Sequence, residues 1–260
     1  MDIFEAIVLG LIQGLTEFLP VSSSGHLEIG KALFDLDQGK NFYFTVAVHG
    51  ATVLSTLVVF RKELLDLAKG VLKFRMNEET RYFLKLLLSM IPVAIVGFFL
   101  REEVESLYNG NMLFIGLMLL VTSTLLALGH FARSKDRSIG YLDAFIIGLA
   151  QAIAVIPGIS RSGATISTGM MIGNRKDELA RFSFLMVIIP ILGANFLDII
   201  SATDKATGSL SPAVLIAGIL TAFISGYAAC KWMISIVRKS RMIWFAVYCF
   251  LIGLITILFL

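Results

Sequence analysis

Residues 13–26 read Gln13-Gly14-Leu15-Thr16-Glu17-Phe18-Leu19-Pro20-Val21-Ser22-Ser23-Ser24-Gly25-His26. The stretch lies in an apolar N-terminal run, so it sets a carboxylate, a proline, three hydroxyls and an imidazole where an apolar helix would otherwise continue. Gln13 and Glu17 are four apart and share one helical face. Pro20 disfavours helical geometry at Leu19. The serines before Gly25 suit a fresh helix start near Ser22 to Ser24, whose unpaired N–H groups and hydroxyls would face an anion. A helix break at membrane depth survives only where protein buries it or a wet cavity receives it. Residues 3–30 are therefore expected to form a re-entrant hairpin, rather than one full span, and to line an internal polar site.

The rest of the chain makes a membrane setting necessary. Of its 260 residues 57% are hydrophobic and only 16% charged, with a mean hydropathy of +0.85, whereas a soluble domain carries about 25% charged residues. Six stretches read as full spans, at about 42–60, 84–100, 112–130, 182–200, 212–229 and 242–260, with Pro92 and Pro190 as tolerated interior breakers. Met1 to Glu5 lack a basic region and Gln13 and Glu17 interrupt the run that follows, so a cleaved signal peptide is not expected. Cys230 and Cys249 sit far apart in apolar surroundings and read as buried thiols. A net charge of +3 comes from basic residues in short linkers, which is a topology signal and gives no reason to expect nucleic acid.

Those linkers orient the chain. Segments 61–82, 131–140, 174–181 and 230–241 are basic and read as cytoplasmic. Segment 101–111 sets Glu102, Glu103 and Glu105 against Arg101, and 201–211 has Lys205 alone, so both read as outside, together with 31–41. Two cytoplasmic linkers flank residues 141–173, which are too few for two full helices and a turn. A second re-entrant hairpin resolves the parity. It contains Pro157-Gly158-Ile159-Ser160-Arg161-Ser162-Gly163-Ala164-Thr165.

The hairpins are related. Gly10-Leu11-Ile12-Gln13 and Ser22-Ser23-Ser24-Gly25 return as Gly148-Leu149-Ala150-Gln151 and Ser160-Arg161-Ser162-Gly163, at one offset of 138 residues (151 − 13 and 163 − 25). The fold class expected is an all-α integral membrane protein of one domain, residues 1–260, made of an inverted repeat of about 1–133 and about 139–260. Such repeats set broken helices face to face near the midplane. Arg161 takes the place of Ser23. A buried arginine costs about 2.5–3.5 kcal/mol on insertion scales, so a chain retains it for a partner or substrate, and its planar fork suits phosphate oxygens.

Residues 13–26 and 157–165 resemble the two signature motifs of the undecaprenyl-diphosphate phosphatase family associated with bacitracin resistance. The first motif, Glu or Gln, three residues, then Glu, matches Gln13 and Glu17; the second, Pro-Gly-x-Ser-Arg-Ser-x-x-Thr, matches Pro157 through Thr165 at every specified position. The resemblance implies hydrolysis of undecaprenyl diphosphate to the monophosphate and inorganic phosphate, recycling the lipid carrier of cell-wall synthesis. It further implies a divalent cation, usually magnesium, and a site opening to the outer face of the bacterial cytoplasmic membrane. On that reading Glu17 with Gln13 holds the metal or a water, and Arg161, with Ser160 and Thr165, clamps the diphosphate. Ser22, Ser24 and Ser162 add donors. Either Ser23 attacks phosphorus with His26 as its base, or His26 attacks and Ser23 positions the substrate.

Other readings compete. Inverted repeats with broken helices also build transporters, and a flippase for a polyprenyl phosphate would share the ligand. Serines after a proline commonly cap a helix, and Arg161 with Glu17 would also make a structural ion pair. His49 reads as a packed or supporting residue, Gln151 as a support of its hairpin, and Glu28, Asp35 and Asp37 as solvated near the outer surface. Small-residue faces at Gly148 and Gly218 allow close helix packing and, as one expectation, a homodimer.

Overall fold

A computed structural model describes all residues except 37–41, 109, 134, 195–210 and 239–241. Asp37, Lys205, Lys239 and Arg241, and the end of the expected span 182–200, lie outside the described residues. Among the described residues the chain is helical and without strands. The N-terminal run divides into α1 (Ile3–Phe18) and α2 (Ser23–Leu33). Then come α3 (Phe42–Val59), α4 (Arg61–Val71), α5 (Glu78–Phe99), α6 (Arg101–Ser106) and α7 (Met112–Phe131). The second hairpin is α8 (Tyr141–Ile153) and α9 (Arg161–Met171), followed by α10 (Lys176–Leu185), α11 (Pro212–Arg238) and α12 (Ile243–Phe259).

Both expected breaks occur where the sequence places them. The α1 helix ends at Phe18, before Leu19-Pro20, and the α8 helix ends at Ile153, before Pro157-Gly158. Three helices are long and apolar enough to cross a membrane among the described residues: Glu78–Phe99, Met112–Phe131 and Pro212–Val237. A fourth is gained if α3 and α4, bent by 71° at their junction, count as one span. The α12 helix is apolar but, at 17 residues, falls just short. The expected span from 182 is not continuous: α10 stops at Leu185, residues 186–187 turn, and a new helix runs from 188 to at least 194, the described residues resuming at 211. Pro190 therefore sits in the first turn of a helix, where its missing N–H leaves no bond unmade.

Helix pairs meet through glycine. A Cβ on Gly10 would lie 2.6 Å from the Gly218 carbonyl oxygen, and one on Gly148 would lie 2.3 Å from the Ser89 carbonyl oxygen. Thus α1 lies against α11, and α8 lies against α5. Gly116 and Gly253 bring α7 and α12 together in the same way. Gly148 and Gly218 are consequently used for helix packing inside the molecule. The basic segments 131–140 and 174–181 meet at one end of the bundle. Arg175 N–H donates to the Arg137 carbonyl at 2.9 Å, and Arg137 reaches Asp143 at 2.7 Å. Glu28, expected in solvent, is instead 5% exposed and paired with Lys31 at 3.0 Å, whereas Asp35 is exposed. Both lie three apart on α2, so the pair neutralises itself within one helical turn. Cys230 and Cys249 are free and buried, and the Cys249 thiol donates to the Pro20 carbonyl at 3.8 Å.

Candidate functional site

The two helix breaks face one another. Ser22 caps α2, with its Oγ accepting from Gly25 N–H at 3.3 Å, and Ser160 caps α9, with its Oγ accepting from Gly163 N–H at 3.1 Å. Capping fixes where each helix begins, so Ser23 and Arg161 both occupy the first helical position and leave early N–H groups unpaired. The tips touch: a Cβ on Gly25 would lie 3.2 Å from the Gly158 Cα, and the Ser162 hydroxyl donates to the Leu19 carbonyl at 3.3 Å. The turns reach this arrangement differently. Ser22 itself takes a left-handed backbone, with φ of 72°, a conformation costly for a residue with a side chain. The second turn uses Gly158, with φ of +92°, whose carbonyl accepts from Thr122 Oγ1 at 2.9 Å.

Between the tips lies a cavity of about 250 Å³. Glu17, on the last turn of α1, is its carboxylate, and the side chain is only 6% exposed. Glu17 Oε1 accepts from Arg161 at 2.5 Å, while Oε2 accepts from the Ser23 hydroxyl at 2.6 Å and from Gln13 Nε2 at 2.9 Å. His49 Nε2 stands 4.0 Å from the same oxygen. A hydroxyl, the carboxylate that accepts its hydrogen bond and a fixed guanidinium thus share one wall, with paired helix starts beside them. That set provides a hydroxyl close to its base and several donors for phosphate oxygens.

Not every expected residue is there. Glu17, Ser22, Ser23, Ser24, Ser160, Arg161 and Ser162 line the cavity. Gln13 does not; it reaches the site only through Glu17. Thr165 is fully buried behind α9, where its hydroxyl donates to the Arg161 carbonyl at 2.9 Å and meets Ser183 Oγ at 2.7 Å. The expected Ser23–His26 pair is not formed. His26 Nδ1 lies 2.8 Å from the Ser22 carbonyl oxygen and Nε2 lies 2.9 Å from the Tyr248 hydroxyl, with the two rings stacked. A carbonyl only accepts, so Nδ1 carries the proton and Nε2 accepts from Tyr248. His26 braces the turn that presents Ser23. His49 and Gln151, read from sequence as supports, line the cavity. The signal for His49 was an ionisable residue within an apolar span.

A second, apolar groove of about 520 Å³ adjoins the polar cavity, lying against α5, α6 and residues 189–194. Val93, Tyr108, Val155, Pro190 and Ala194 line both.

A polar cavity enclosed by two helix breaks in an apolar helical bundle defines a multi-pass membrane protein with an internal site. Comparison with known families gives the particular case. Residues 6–255 match the family model described as Bacitracin resistance protein BacA, and the chain belongs to that family. It is 53% identical to an undecaprenyl-diphosphatase of Christiangramia forsetii, the match covering 100% of this chain and 98% of the relative. An undecaprenyl-diphosphatase of Bacteroides fragilis is 52% identical, with 99% and 98% covered. One from Methanosphaera stadtmanae is 34% identical, again with 99% and 98% covered.

Proposed function

We propose that this protein is a membrane phosphatase that hydrolyses undecaprenyl diphosphate to undecaprenyl phosphate and inorganic phosphate. Relatives carrying that name over their full length support the reading, and the observation that carries it in this chain is the Ser23 hydroxyl donating to Glu17 at 2.6 Å beside Arg161. Ser23 Oγ attacks the terminal phosphorus as Glu17 takes its proton. The bond from that phosphorus to the bridging oxygen breaks, and the prenyl monophosphate leaves. Water then hydrolyses the phosphoserine and releases inorganic phosphate. Arg161 and the free N–H groups opening α2 and α9 offset charge on the phosphoryl oxygens. Glu17 here takes the part that the sequence offered to His26. Direct attack by His26 would require it to leave the wall formed with Ser22 and Tyr248.

The apolar groove receives the prenyl chain, since it continues from the polar cavity through five shared residues. The site is reached from the side of Tyr108, in the acidic linker read as outside, which supports a site opening to the outer face of the cytoplasmic membrane. The two halves form an inverted repeat: α2 and α9 begin 138 residues apart (161 − 23) and both have 11 residues. Every group in the site comes from one chain, so a homodimer would add nothing to it.

A magnesium ion fits the donor chemistry in a limited way. Among the described residues no three His, Cys, Asp or Glu side chains come together as a metal cage. Glu17 would hold the ion with diphosphate oxygens and water, a donor set magnesium commonly uses, and Gln13 would steady Glu17 instead of ligating. When bound, the ion would neutralise charge on the diphosphate.

Release of inorganic phosphate from a C55 prenyl diphosphate by purified protein in detergent tests the reading. Magnesium-dependent release, lost in Arg161→Ala and Glu17→Ala, is expected. No release by folded wild-type protein would leave the rival, a flippase or transporter of the same anion.

A further inference from the structure

Gln151 lies on the last turns of α8 and lines the polar cavity, yet it is only 1% exposed and neither Oε1 nor Nε2 has a hydrogen-bond partner. A buried amide with both ends unmet is rare and unfavourable, and one on a cavity wall is satisfied by what the cavity takes in, water or ligand. Its counterpart explains why it is left open. Gln13 spends its Nε2 on Glu17, four residues on. Four residues after Gln151 stands Val155, which has no carboxylate to offer.

The position of Gln151 selects the part of the ligand that it meets. Val155, the next turn of chain, belongs to the wall shared by the polar cavity and the apolar groove. Ser23, Glu17 and Arg161 line the polar cavity and not the groove. A prenyl diphosphate whose terminal phosphorus sits at Ser23 and whose chain leaves by the groove has its inner phosphate between them, within the reach of Gln151. We infer that Gln151 is a substrate-binding residue whose Nε2 donates to the phosphate attached to the prenyl chain. It grips that phosphate both in the substrate and in the departing prenyl monophosphate. The inference rests on the phosphatase reading for the orientation of the substrate.

Gln151→Leu and Gln151→Glu, in the full-length protein in detergent, provide the test. Leucine should lower kcat/KM for a C55 prenyl diphosphate and weaken inhibition by the prenyl monophosphate, each by about tenfold, the worth of one lost bond to a charged group. Inhibition by inorganic phosphate, which competes for the terminal position, should stay within about twofold. Glutamate should weaken monophosphate binding further, by like-charge repulsion. The thermal midpoint of Gln151→Leu should be unchanged or higher, because no hydrogen bond is removed; a purely structural glutamine would lower it. Unaltered monophosphate affinity, or an equal loss toward inorganic phosphate, would overturn the assignment. Direct binding of the prenyl monophosphate reads out the same grip without turnover. Failure of the phosphatase reading, no phosphate released by wild-type protein, is thereby distinguished from failure of the Gln151 assignment.

Discussion

In the first hairpin Gln13 donates through Nε2 to Glu17 and leaves only Oε1 unmet; in the second, neither end of the Gln151 carboxamide has a partner, and Val155 stands where the carboxylate would be. The same division runs through the whole pair. Ser23 and Arg161 occupy matching helix starts under matching serine caps, but one offers a hydroxyl and the other a guanidinium. One hairpin holds the carboxylate and the hydroxyl bonded to it, the other the guanidinium and an open amide. Equivalent backbone therefore carries non-equivalent chemistry, and the site is complete only where the halves meet.

Breaking the join between them should have the largest effect. Arg161→Ala leaves the buried Glu17 carboxylate without its cation and should lower kcat/KM by about 10³-fold or more. Steady-state phosphate release checks it, and a loss under tenfold would mean that Arg161 is structural. Gly158→Ala should come next. Its φ of +92° and the Met118 Cβ only 2.6 Å from an added methyl make about 2–3 kcal/mol of destabilisation the expected outcome, read by denaturation in detergent. Ser22→Gly at the matching turn should stay within about 1 kcal/mol, since relief of its φ of 72° offsets loss of the cap. His49→Ala, which removes a ring 4.0 Å from Glu17, should reduce kcat by about 10- to 100-fold. Tyr248→Phe should cost about 1 kcal/mol of stability and should add little to a His26→Phe variant because the two share one hydrogen bond.

Much of this was legible in the residues because prolines, serine caps and an internal repeat act locally. Pro20 and Pro157 marked the breaks, and the serine run marked a helix start near Ser22 to Ser24, which falls at Ser23. The carboxylate and guanidinium were each legible as costly in an apolar setting, and their pairing, which the structure shows, was legible only as a competing structural reading. What the sequence could not supply was direction. Thr165 is one helical turn from Arg161, yet it lies against Ser183 and not on the cavity. His26 is three residues from Ser23, but stacking on Tyr248, 222 residues distant, turns its ring elsewhere. His49 and Gln151 reach the cavity only through the packing of α3 and α8, a tertiary outcome that helical spacing does not encode. Glu28 looked solvated, whereas its charge is met by Lys31 on the same helical turn, a pairing that depends on where α2 begins and packs.

The Glu17–Arg161 contact also has a meaning for biosynthesis. Its partners are 144 residues apart, so the ribosome has delivered the whole first half before the guanidinium exists. Until then Glu17 is a carboxylate in an apolar segment with no cation opposite, a state that favours lingering near the surface. Arrival of the second hairpin removes that option, so the nascent chain has a built-in reason to finish inserting, and no partly made copy carries a working site.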